Sequence, residues 1–360
     1  MGTKLSAALV GPDFQGEATA IEIDGQRLSF AAVDLPSPEL DASGVHKHHV
    51  LVAKRAMSCS FRDRAVLRRF AHRLAFTGEL GCGFGSELVG EVVALGDAVT
   101  SLAVGDRVLV RCTYPRPEGT HRIPGVPTGQ ASNRFEILPA GNLVTLPEGV
   151  SIDVAAGLPI AAQTGFGMLR RLLSSGERAL VTAGRSITSL VAIQLLRQAG
   201  WNVTVVTGSE GVEARLRELG AVEVLAGRTV DELGAYFRSL DPGEKFDVVV
   251  DPFADVYMEA VLPALRLGGH YVSCGFAAQG IALDRELPVS RIMPRVIGHN
   301  LTLHGQCLGN DDDLDAALEA IEAGRLTVPI DSVWTLDQLG DFLDRSFVAA
   351  DRFGKVILRY

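Results

Sequence analysis

The second half of the chain alternates short apolar strands with helices, and this alternation restricts the fold more than any other feature of the sequence. From Ser151 onward, each short apolar run is followed by a stretch with helical spacing. Such alternation predicts βαβ units, and therefore an α/β fold whose parallel sheet is covered by helices on both faces. The predicted strands lie at 178–182, 202–207, 222–225, 246–250, 270–274, 300–305 and 354–359. The predicted helices lie at 152–173 (with Ser151 as its cap), 190–199, 211–219, 230–240, 256–267 and 312–323.

The first 150 residues have a different pattern, in which short strands follow one another between glycine, proline and aspartate turns. These strands are predicted at 49–54, 90–95, 106–111 and 134–138. One helix, from about Phe61 to Leu74, interrupts them. Spacing of this kind predicts a compact, barrel-like β domain.

Charge and composition argue against several classes of binding partner for this 360-residue chain. Its net charge is −9 and it has no run rich in Lys or Arg, so nucleic acid and anionic membranes are not expected to bind it. No apolar run approaches the roughly 18 residues of a membrane span, and the N-terminus lacks the continuous apolar core of a signal peptide. The five cysteines are odd in number and never form a CxxC pair, which indicates a reducing, cytoplasmic location. A small molecule is the expected partner.

The turn after the first strand of the βαβ region is the most informative segment. Here a strand runs into Gly184-Arg185-Ser186-Ile187-Thr188-Ser189 and then into a helix. The N-terminus of a helix in this position favours a diphosphate, because free N–H groups and the helix dipole both attract an anion. Dinucleotide-binding turns usually contain three glycines, whereas only Gly184 is present here, so the motif alone is weak. Ser186 can donate to phosphate and Arg185 can add positive charge.

The second strand–helix turn bears on the choice of nucleotide. Folds that select NAD place an Asp or Glu at the end of this strand to hold the ribose 2′-hydroxyl. This chain has Thr207, Gly208 and Ser209 instead, which leave room for a 2′-phosphate, and the cofactor expected is NADPH. Ser209 has an equally good alternative role as the cap of the following helix. Asp251, at the end of a later strand, is a further cofactor-binding candidate with the same alternative.

Taken together, the motifs resemble the medium-chain dehydrogenase/reductase superfamily, in particular its zinc-free quinone-oxidoreductase and enoyl-reductase branch. Ser58-Cys59-Ser60-Phe61-Arg62-Asp63 is similar to the S-x-N-Y-R-D segment of that family, and Gly85–Gly90 with the residues to Val108 is similar to its G-x-E-x-x-G…G-D-R-V pattern. Further likeness lies at Ala140–Leu143 with Leu146–Gly149, at Leu158-Pro159 with Thr164, and at Phe353–Val356.

The resemblance implies a GroES-like β-barrel catalytic domain around a Rossmann domain. It places the catalytic domain at residues 1–154 and 306–360 and the dinucleotide-binding domain at 155–305. It also implies that Thr164 lies near the nicotinamide and that the strand at 300–305 pairs with a second copy to form a homodimer.

The resemblance also bears on the metal. At the positions where relatives carry the three ligands of catalytic zinc, this chain has Ser60, Ser86 and Ile160, none of which suits a zinc ion. Glu87 alone remains of the G-H-E motif, and Cys112 is the one cysteine in the region of the structural-zinc lobe. No metal is therefore expected. His46, His48 and His49 are interpreted as part of a solvated loop that leads into a strand.

The proton donor is an open question, because the tyrosine of the family motif is Phe61 here. Ser60, Ser86 and Tyr114 are the candidate catalytic residues, with Cys59 and water as further possibilities. Arg62 and Asp63 are interpreted as a structural or substrate-gating pair, and the structural role is favoured.

Three functions remain after this reading of the sequence. The first is NADPH-dependent, metal-free reduction of an activated C=C bond, of the enone or enoyl type, in specialised biosynthesis where reduction can trigger cyclisation. The second keeps the redox class but reduces a carbonyl or imine, or runs as a dehydrogenase, with Ser60 or Tyr114 relaying the proton. The third is a degenerate relative with a non-redox or binding role.

Overall fold

The computed structural model describes residues 4–115, 118, 120–172, 176–278 and 289–360. The chain divides into two compact units, Met1–Ile160 with Val328–Tyr360, and Ala161–Thr327. Segment 306–327, which the sequence assigns to the first domain, is grouped with the second unit.

The first 150 residues form mainly strands, and from residue 151 onward helices alternate with strands. The strands are β1 (Lys4–Val10), β2 (Thr19–Ile23), β3 (Gln26–Leu35), β4 (His49–Ser58), β5 (Gly81–Cys82), β6 (Glu87–Leu95), β7 (Arg107–Val110), β8 (Phe135–Pro139), β9 (Leu143–Thr145), β10 (Arg178–Val181), β11 (Asn202–Thr207), β12 (Ala221–Ala226), β13 (Phe246–Asp251), β14 (Leu265–Ser273), β15 (Thr302–Gly305), β16 (Ile330–Thr335) and β17 (Lys355–Arg359). The helices are α1 (Asp63–Thr77), α2 (Ile152–Gly157), α3 (Pro159–Arg170), α4 (Ile187–Gln198), α5 (Glu213–Glu218), α6 (Val230–Ser239), α7 (Ala254–Val261), α8 (Val289–Gly298), α9 (Asp311–Glu322) and α10 (Leu339–Phe347).

The first unit is built on two sheets of mainly antiparallel strands. One has the order β2-β3-β1-β5, and the other has the order β16-β17-β4-β6-β7-β9, with β8 also paired to β4. The C-terminal strand β17 lies antiparallel to β4, with Leu358 opposite Met57. The ring of Phe30 on β3 packs edge to face on that of Phe84, which lies between β5 and β6, with the ring centres 5.3 Å apart. This arrangement is the GroES-like β domain, as the sequence resemblance implies.

The second unit contains a parallel sheet in the order β12-β11-β10-β13-β14-β15. From β10 the chain adds β11 and β12 on one side, and it then returns to add β13, β14 and β15 on the other side. This is the strand order of a doubly wound dinucleotide-binding sheet. Helices pack on the buried strands, where Phe237, Phe246 and Tyr271 belong to one apolar core with Leu180 and Val249. The predicted parallel sheet is confirmed, and with it the Rossmann fold class.

Proline accounts for two helices that are shorter than the sequence predicts. The predicted helix at 152–173 is divided at Leu158, because Pro159 suits the first position of a new helix, α3. Ser151 does cap α2, since its hydroxyl accepts the Val154 N–H at 3.3 Å. The helix predicted at 256–267 ends at Val261, and Pro263 lies just beyond it. Among the described residues, no helix has both the length and the apolar character needed to cross a bilayer.

Candidate functional site

The turn between β10 and α4 brings together five of the residues predicted to bind a cofactor. Gly184 is buried, and a Cβ on it would lie 2.5 Å from Cγ1 of Val205, so the packing of β11 excludes any larger residue. Ser186 is the N-cap of α4, and its hydroxyl makes no capping hydrogen bond. The N–H groups at the first positions of a helix have no acceptor within that helix. Arg185, Ser186, Ile187 and Thr188 are all partly accessible, so this turn has the donors and the charge to bind an anion.

Hydrogen bonds fix the path of the same turn. The Ser186 N–H donates to the carbonyl of Ala183 at 2.7 Å, and the Gly184 N–H donates to the carbonyl of Val206 at 2.9 Å. The Ser189 hydroxyl donates to the Thr182 carbonyl at 2.8 Å and ties α4 to β10. Ala183 has a φ of +49°, a left-handed conformation that costs a residue with a Cβ about 1 kcal/mol.

The second turn lies beside the first, since a Cβ on Gly184 would be 3.4 Å from Cβ of Thr207. Thr207 is buried, and its hydroxyl accepts the N–H of Ser209 at 3.2 Å. Ser209 does not cap the following helix, because α5 begins at Glu213 and its N-cap position is Val212. That alternative interpretation of Ser209 is therefore wrong. A Cβ on Gly208 would meet no atom within 4 Å, so the space around this turn is open.

Thr164 lies on α3 where that helix approaches α4. The adjacent Gly165 permits the approach, since a Cβ there would be 2.7 Å from Cγ1 of Val191 and 3.9 Å from the Thr188 carbonyl. Thr164 is buried, with 5% of its surface exposed. The structure therefore places it close to the first turn of α4.

Asp251 is held inside the carboxyl end of the sheet. Its two oxygens accept the hydroxyl of Thr182 at 2.6 Å and the hydroxyl of Tyr271 at 2.7 Å, and the Phe253 N–H donates to it at 2.9 Å. Burial raises the pKa of this carboxyl, and the hydrogen bonds oppose that shift. Its side chain has no accessible surface, so it positions the strand ends and offers no oxygen to a bound molecule.

In the first unit, Ser60 and Ser86 both contact the buried carboxylate of Asp63. The Ser60 N–H donates to Oδ2 at 2.8 Å, and its hydroxyl lies 3.4 Å from the same oxygen. The Ser86 hydroxyl donates to Oδ1 of Asp63 and accepts from Nη1 of Arg62. Burial raises the pKa of the Asp63 carboxyl, while Arg62 and the serines lower it. We refer to Ser60, Arg62, Asp63 and Ser86 as the Asp63 cluster.

The single proton of Ser86 is used within the Asp63 cluster, which limits its role as a donor to substrate. Ser60 is partly accessible and its hydroxyl lies at a longer distance from Asp63, so it is the freer of the two hydroxyl groups. Tyr114 is 49% exposed and precedes Pro115 in a cis peptide. In the described part of the chain, no hydrogen bond joins Tyr114 to the Asp63 cluster.

Next to Ser86, the carboxylate of Glu87 is held by three parts of the first unit. Its oxygens accept the Ser58 hydroxyl at 3.0 Å, the Ile160 N–H at 2.8 Å and the ammonium of Lys355. Both partners of the ion pair are buried, with 0% and 4% of their side chains exposed. From the sequence, Glu87 is interpreted as the remnant of the G-H-E motif, and its pairing with Lys355 is not predicted. The only signal for that pairing was that Lys355 belongs to the terminal G-K-V motif.

The thiols near these charges are kept neutral. Burial raises the pKa of Cys59 well above its ordinary value and does the same for Cys112, and the carboxylates of Asp63 and Glu87 add to both shifts. All five cysteines are free. Cys59 is therefore a poor proton donor or nucleophile.

The described residues contain no group of three His, Cys, Asp or Glu side chains arranged to hold a metal ion. Among the histidines before β4, the ring of His48 stacks on that of His121, 4.2 Å away, and Nδ1 of His46 accepts the N–H of Asp41 at 3.1 Å. The zinc-ligand positions of relatives are occupied by hydrogen-bonded groups: Ser60 and Ser86 contact Asp63, and the Ile160 N–H contacts Glu87. A zinc ion does not fit this set of side chains.

Comparison with known families agrees with this arrangement. Residues 46–148 match the alcohol dehydrogenase GroES-like domain, and residues 188–323 match the zinc-binding dehydrogenase family. The protein belongs to the medium-chain dehydrogenase/reductase superfamily. Members of this superfamily are oxidoreductases that bind nicotinamide cofactors, which is the chemistry expected of a chain that has both a doubly wound sheet and a GroES-like domain.

The proteins similar to this chain include alcohol dehydrogenases and polyketide synthase components. The chain is 24% identical over 323 residues to a zinc-type alcohol dehydrogenase-like protein of Schizosaccharomyces pombe, covering 86% of this chain and 90% of that protein. It is 30% identical over 257 residues to a pikromycin polyketide synthase component of Streptomyces venezuelae, covering 70% of this chain but only 6% of the synthase. A solved NAD-dependent alcohol dehydrogenase superposes with a TM-score of 0.73 at 25% identity, over 92% of this chain and 96% of that one.

The buried ion pair gives a test of how the first unit is held together. Lys355→Met leaves the Glu87 carboxylate buried without its cation, and we expect the free energy of unfolding to fall by about 3–5 kcal/mol. Urea denaturation followed by circular dichroism measures the change. The double variant Lys355→Met with Glu87→Gln should recover much of the loss, because no buried charge then remains unpaired.

Arg359→Gln on the same strand is the matched control. It breaks an exposed ion pair with Asp153 and should cost less than about 1 kcal/mol. A Lys355→Met variant no less stable than Arg359→Gln would show that the buried pair does not support the fold.

Proposed function

We propose that the protein is an NADPH-dependent oxidoreductase that reduces an activated C=C bond, of the enone or enoyl type, without a metal. We propose further that it acts in specialised biosynthesis, where the reduction triggers cyclisation. The observation that carries the proposal is the Asp63 cluster, in which the hydroxyl of Ser86 is bonded to Asp63 and Arg62. A metal ion would have to displace those contacts, and reduction of a conjugated C=C bond does not need one.

The cofactor assignment rests on the two turns at the carboxyl end of the parallel sheet. Gly184, Arg185, Ser186, Ile187 and Thr188 would hold the diphosphate through N–H groups, a hydroxyl and a positive charge. Thr207 and Ser209 would face the 2′-phosphate, with Thr164 near the nicotinamide and Asp251 fixing the strand ends. When bound, NADPH supplies a hydride.

The open space at Gly208 supports the choice of NADPH over NADH. No carboxylate ends β11, where NAD-selective folds hold the ribose 2′-hydroxyl. Glu210, the first acid after the strand, has its carboxylate beside Gly227, where a Cβ would lie 2.5 Å from Oε1. The 2′-phosphate of a bound NADPH would therefore lie among the hydroxyl-bearing residues Thr207 and Ser209 and away from a carboxylate.

Two observations support the substrate class. The likeness to a pikromycin polyketide synthase component favours an enoyl substrate. Ser60 is partly accessible whereas Ser86 is fully buried, so we assign delivery of the proton at the α-carbon to Ser60 or to a water molecule. Ser86 holds Asp63 and Arg62 in position, and Tyr114 remains an exposed alternative donor.

The alcohol dehydrogenase names among the relatives favour a second candidate, reduction of a carbonyl group. Turnover of 2-cyclohexenone with NADPH deuterated at the transferred position separates the two. We expect the label at the β-carbon of the ketone product, by NMR; label at the carbonyl carbon would establish carbonyl reduction instead.

Elemental analysis of the same protein should find zinc far below one ion per chain, and stoichiometric zinc would contradict the metal-free proposal.

The choice of cofactor can be tested by titrating the intrinsic fluorescence with each nucleotide. NADPH should bind at least about tenfold more tightly than NADH, a difference of roughly 1.4 kcal/mol. Gly208→Asp should reduce or reverse this preference, since a carboxylate there repels the 2′-phosphate. Gly243→Asp, at another open glycine of the same unit, is the control. Equal affinities in the unaltered protein would remove the NADPH assignment, and binding of neither nucleotide would favour the non-redox role.

We also propose that two copies pair along β15. This strand is at one edge of the parallel sheet, and Leu303 on it is 38% exposed. Nearby in sequence, α8 exposes Val289, Met293 and Ile297, which are spaced four residues apart and share one face of the helix. An uncovered edge strand with apolar side chains is prone to pair with another chain.

Light scattering coupled to gel filtration tests this pairing. The unaltered protein should elute with the mass of a dimer, and Leu303→Lys should shift it toward the monomer. Val222→Lys is the control, because Val222 is exposed on β12 at the opposite edge of the same sheet. A monomeric unaltered protein, or a dimer equally stable in both variants, would contradict pairing along β15.

A further inference from the structure

The guanidinium of Arg62 shares the Asp63 carboxylate with Ser60 and Ser86, two of the three positions where the sequence resemblance places zinc ligands in relatives. Its Nη1 donates to the hydroxyl of Ser86 and lies 3.6 Å from Oδ1 of Asp63. Ser60 is bonded to the same carboxylate from the other side. A positive charge is thus held beside two residues whose counterparts would bind a metal cation.

We propose that Arg62 is a catalytic residue that binds the carbonyl oxygen of the substrate and stabilises the negative charge which forms on it. This inference rests on the proposed reduction of a conjugated C=C bond. It assigns to Arg62 the electrophilic role that neither a metal nor the tyrosine of the family motif can fill in this chain.

The accessibility of Arg62 fits this role. A third of its side chain is exposed, whereas Asp63 and Ser86 are fully buried. Both contacts described above are made through Nη1, and a guanidinium has five N–H donors in all. Among the described residues, neither Nη2 nor Nε has a hydrogen-bond partner, so these donors are left for an oxygen of the substrate, while Asp63 and Ser86 restrain the orientation of the group.

The chemistry of the step requires a donor at this oxygen. The β-carbon receives the hydride, the electron pair of the C=C bond moves into the new enolate, and the carbonyl oxygen gains the negative charge. A proton from Ser60 or water then completes the α-carbon and restores the carbonyl. Arg62 stabilises this oxygen by hydrogen bonding and by its positive charge, and the proton comes from another group.

The role also limits the substrate. The guanidinium can only donate hydrogen bonds, so the activating group of the alkene should present an accepting oxygen, as the carbonyl of a ketone or a thioester does. The carbonyl of an acyl thioester is the form that the likeness to a polyketide synthase component favours.

The test uses crotonyl-N-acetylcysteamine as the probe thioester and NADPH as the reductant. Arg62→Ala should lower kcat by about 100-fold or more, the effect of removing one donor to a developing oxyanion. NADPH affinity, measured by fluorescence, should stay unchanged. Methylguanidinium added to Arg62→Ala should restore kcat by about tenfold or more, a recovery that a purely structural role would not give.

Two further variants keep the test decisive. Arg64→Ala removes a guanidinium from the same turn of α1, where it pairs with Asp24, and it should leave kcat unchanged. Arg62→Lys keeps the charge but loses the planar donors, so it should fold normally and still lower kcat by about tenfold or more; it decides the question if Arg62→Ala does not fold.

The outcomes separate this inference from the proposed function. If the unaltered protein reduces the probe and Arg62→Ala matches Arg64→Ala, or loses activity without rescue by methylguanidinium, Arg62 is not the oxyanion donor and the proposed function stands. If Arg62→Lys keeps full activity, the planar hydrogen bonds are unnecessary and the inference also fails. If the unaltered protein binds NADPH but reduces neither the probe thioester nor 2-cyclohexenone, the proposed function fails and this inference fails with it.

Discussion

The carboxylate of Glu87 is the point on which the first unit depends. It is buried, and it joins β4 through Ser58, the start of α3 through Ile160 and the terminal strand through Lys355. A buried charge is stable only when its partners are complete, so these contacts fix three distant parts of the chain together. Because Ser86 precedes Glu87 directly, the same constraint sets the position from which Ser86 contacts Asp63 and Arg62.

The fold could be predicted where local pattern and tertiary environment agree. Strands of a parallel sheet are buried on both faces, so they appear in sequence as continuous apolar runs, and the strand at 202–207 was predicted with its observed bounds. The first three strands were not predicted, although Asp24-Gly25 forms the two-residue turn between β2 and β3 and both residues have positive φ. An Asp-Gly pair is a strong hairpin signal, so this information was present in the sequence. Strand β16 and helix α10 were also missed, since β16 is partly exposed and has no continuous apolar run.

The candidate site could likewise be predicted only in part: the cofactor-binding turns could be located from the sequence, whereas the partners of the buried carboxylates could not. Seven of the nine cofactor-binding candidates, all except Thr164 and Asp251, lie on two turns, so their proximity could be inferred from the order of strands and helices. The partners of Asp63 and Glu87 come from separate elements, and Lys355 is 268 positions from Glu87. Contacts of that kind depend on sheet register, which residue spacing does not reveal. The sequence singles out Ser60 and Ser86 as candidate catalytic residues, but it could not show that the Ser86 hydroxyl donates a hydrogen bond to Asp63.

The left-handed backbone at Ala183 has a consequence for how such turns are recognised. Glycine is the usual residue in that conformation, yet an alanine adopts it here because the hydrogen bonds of Ser186 and Gly184 hold the neighbouring peptides. The shape of the loop is thus imposed by the strands and helix around it, at a local energetic penalty that the surrounding packing outweighs. Searches that require the full set of glycines will overlook loops of this shape, whereas comparison of backbone angles would find them.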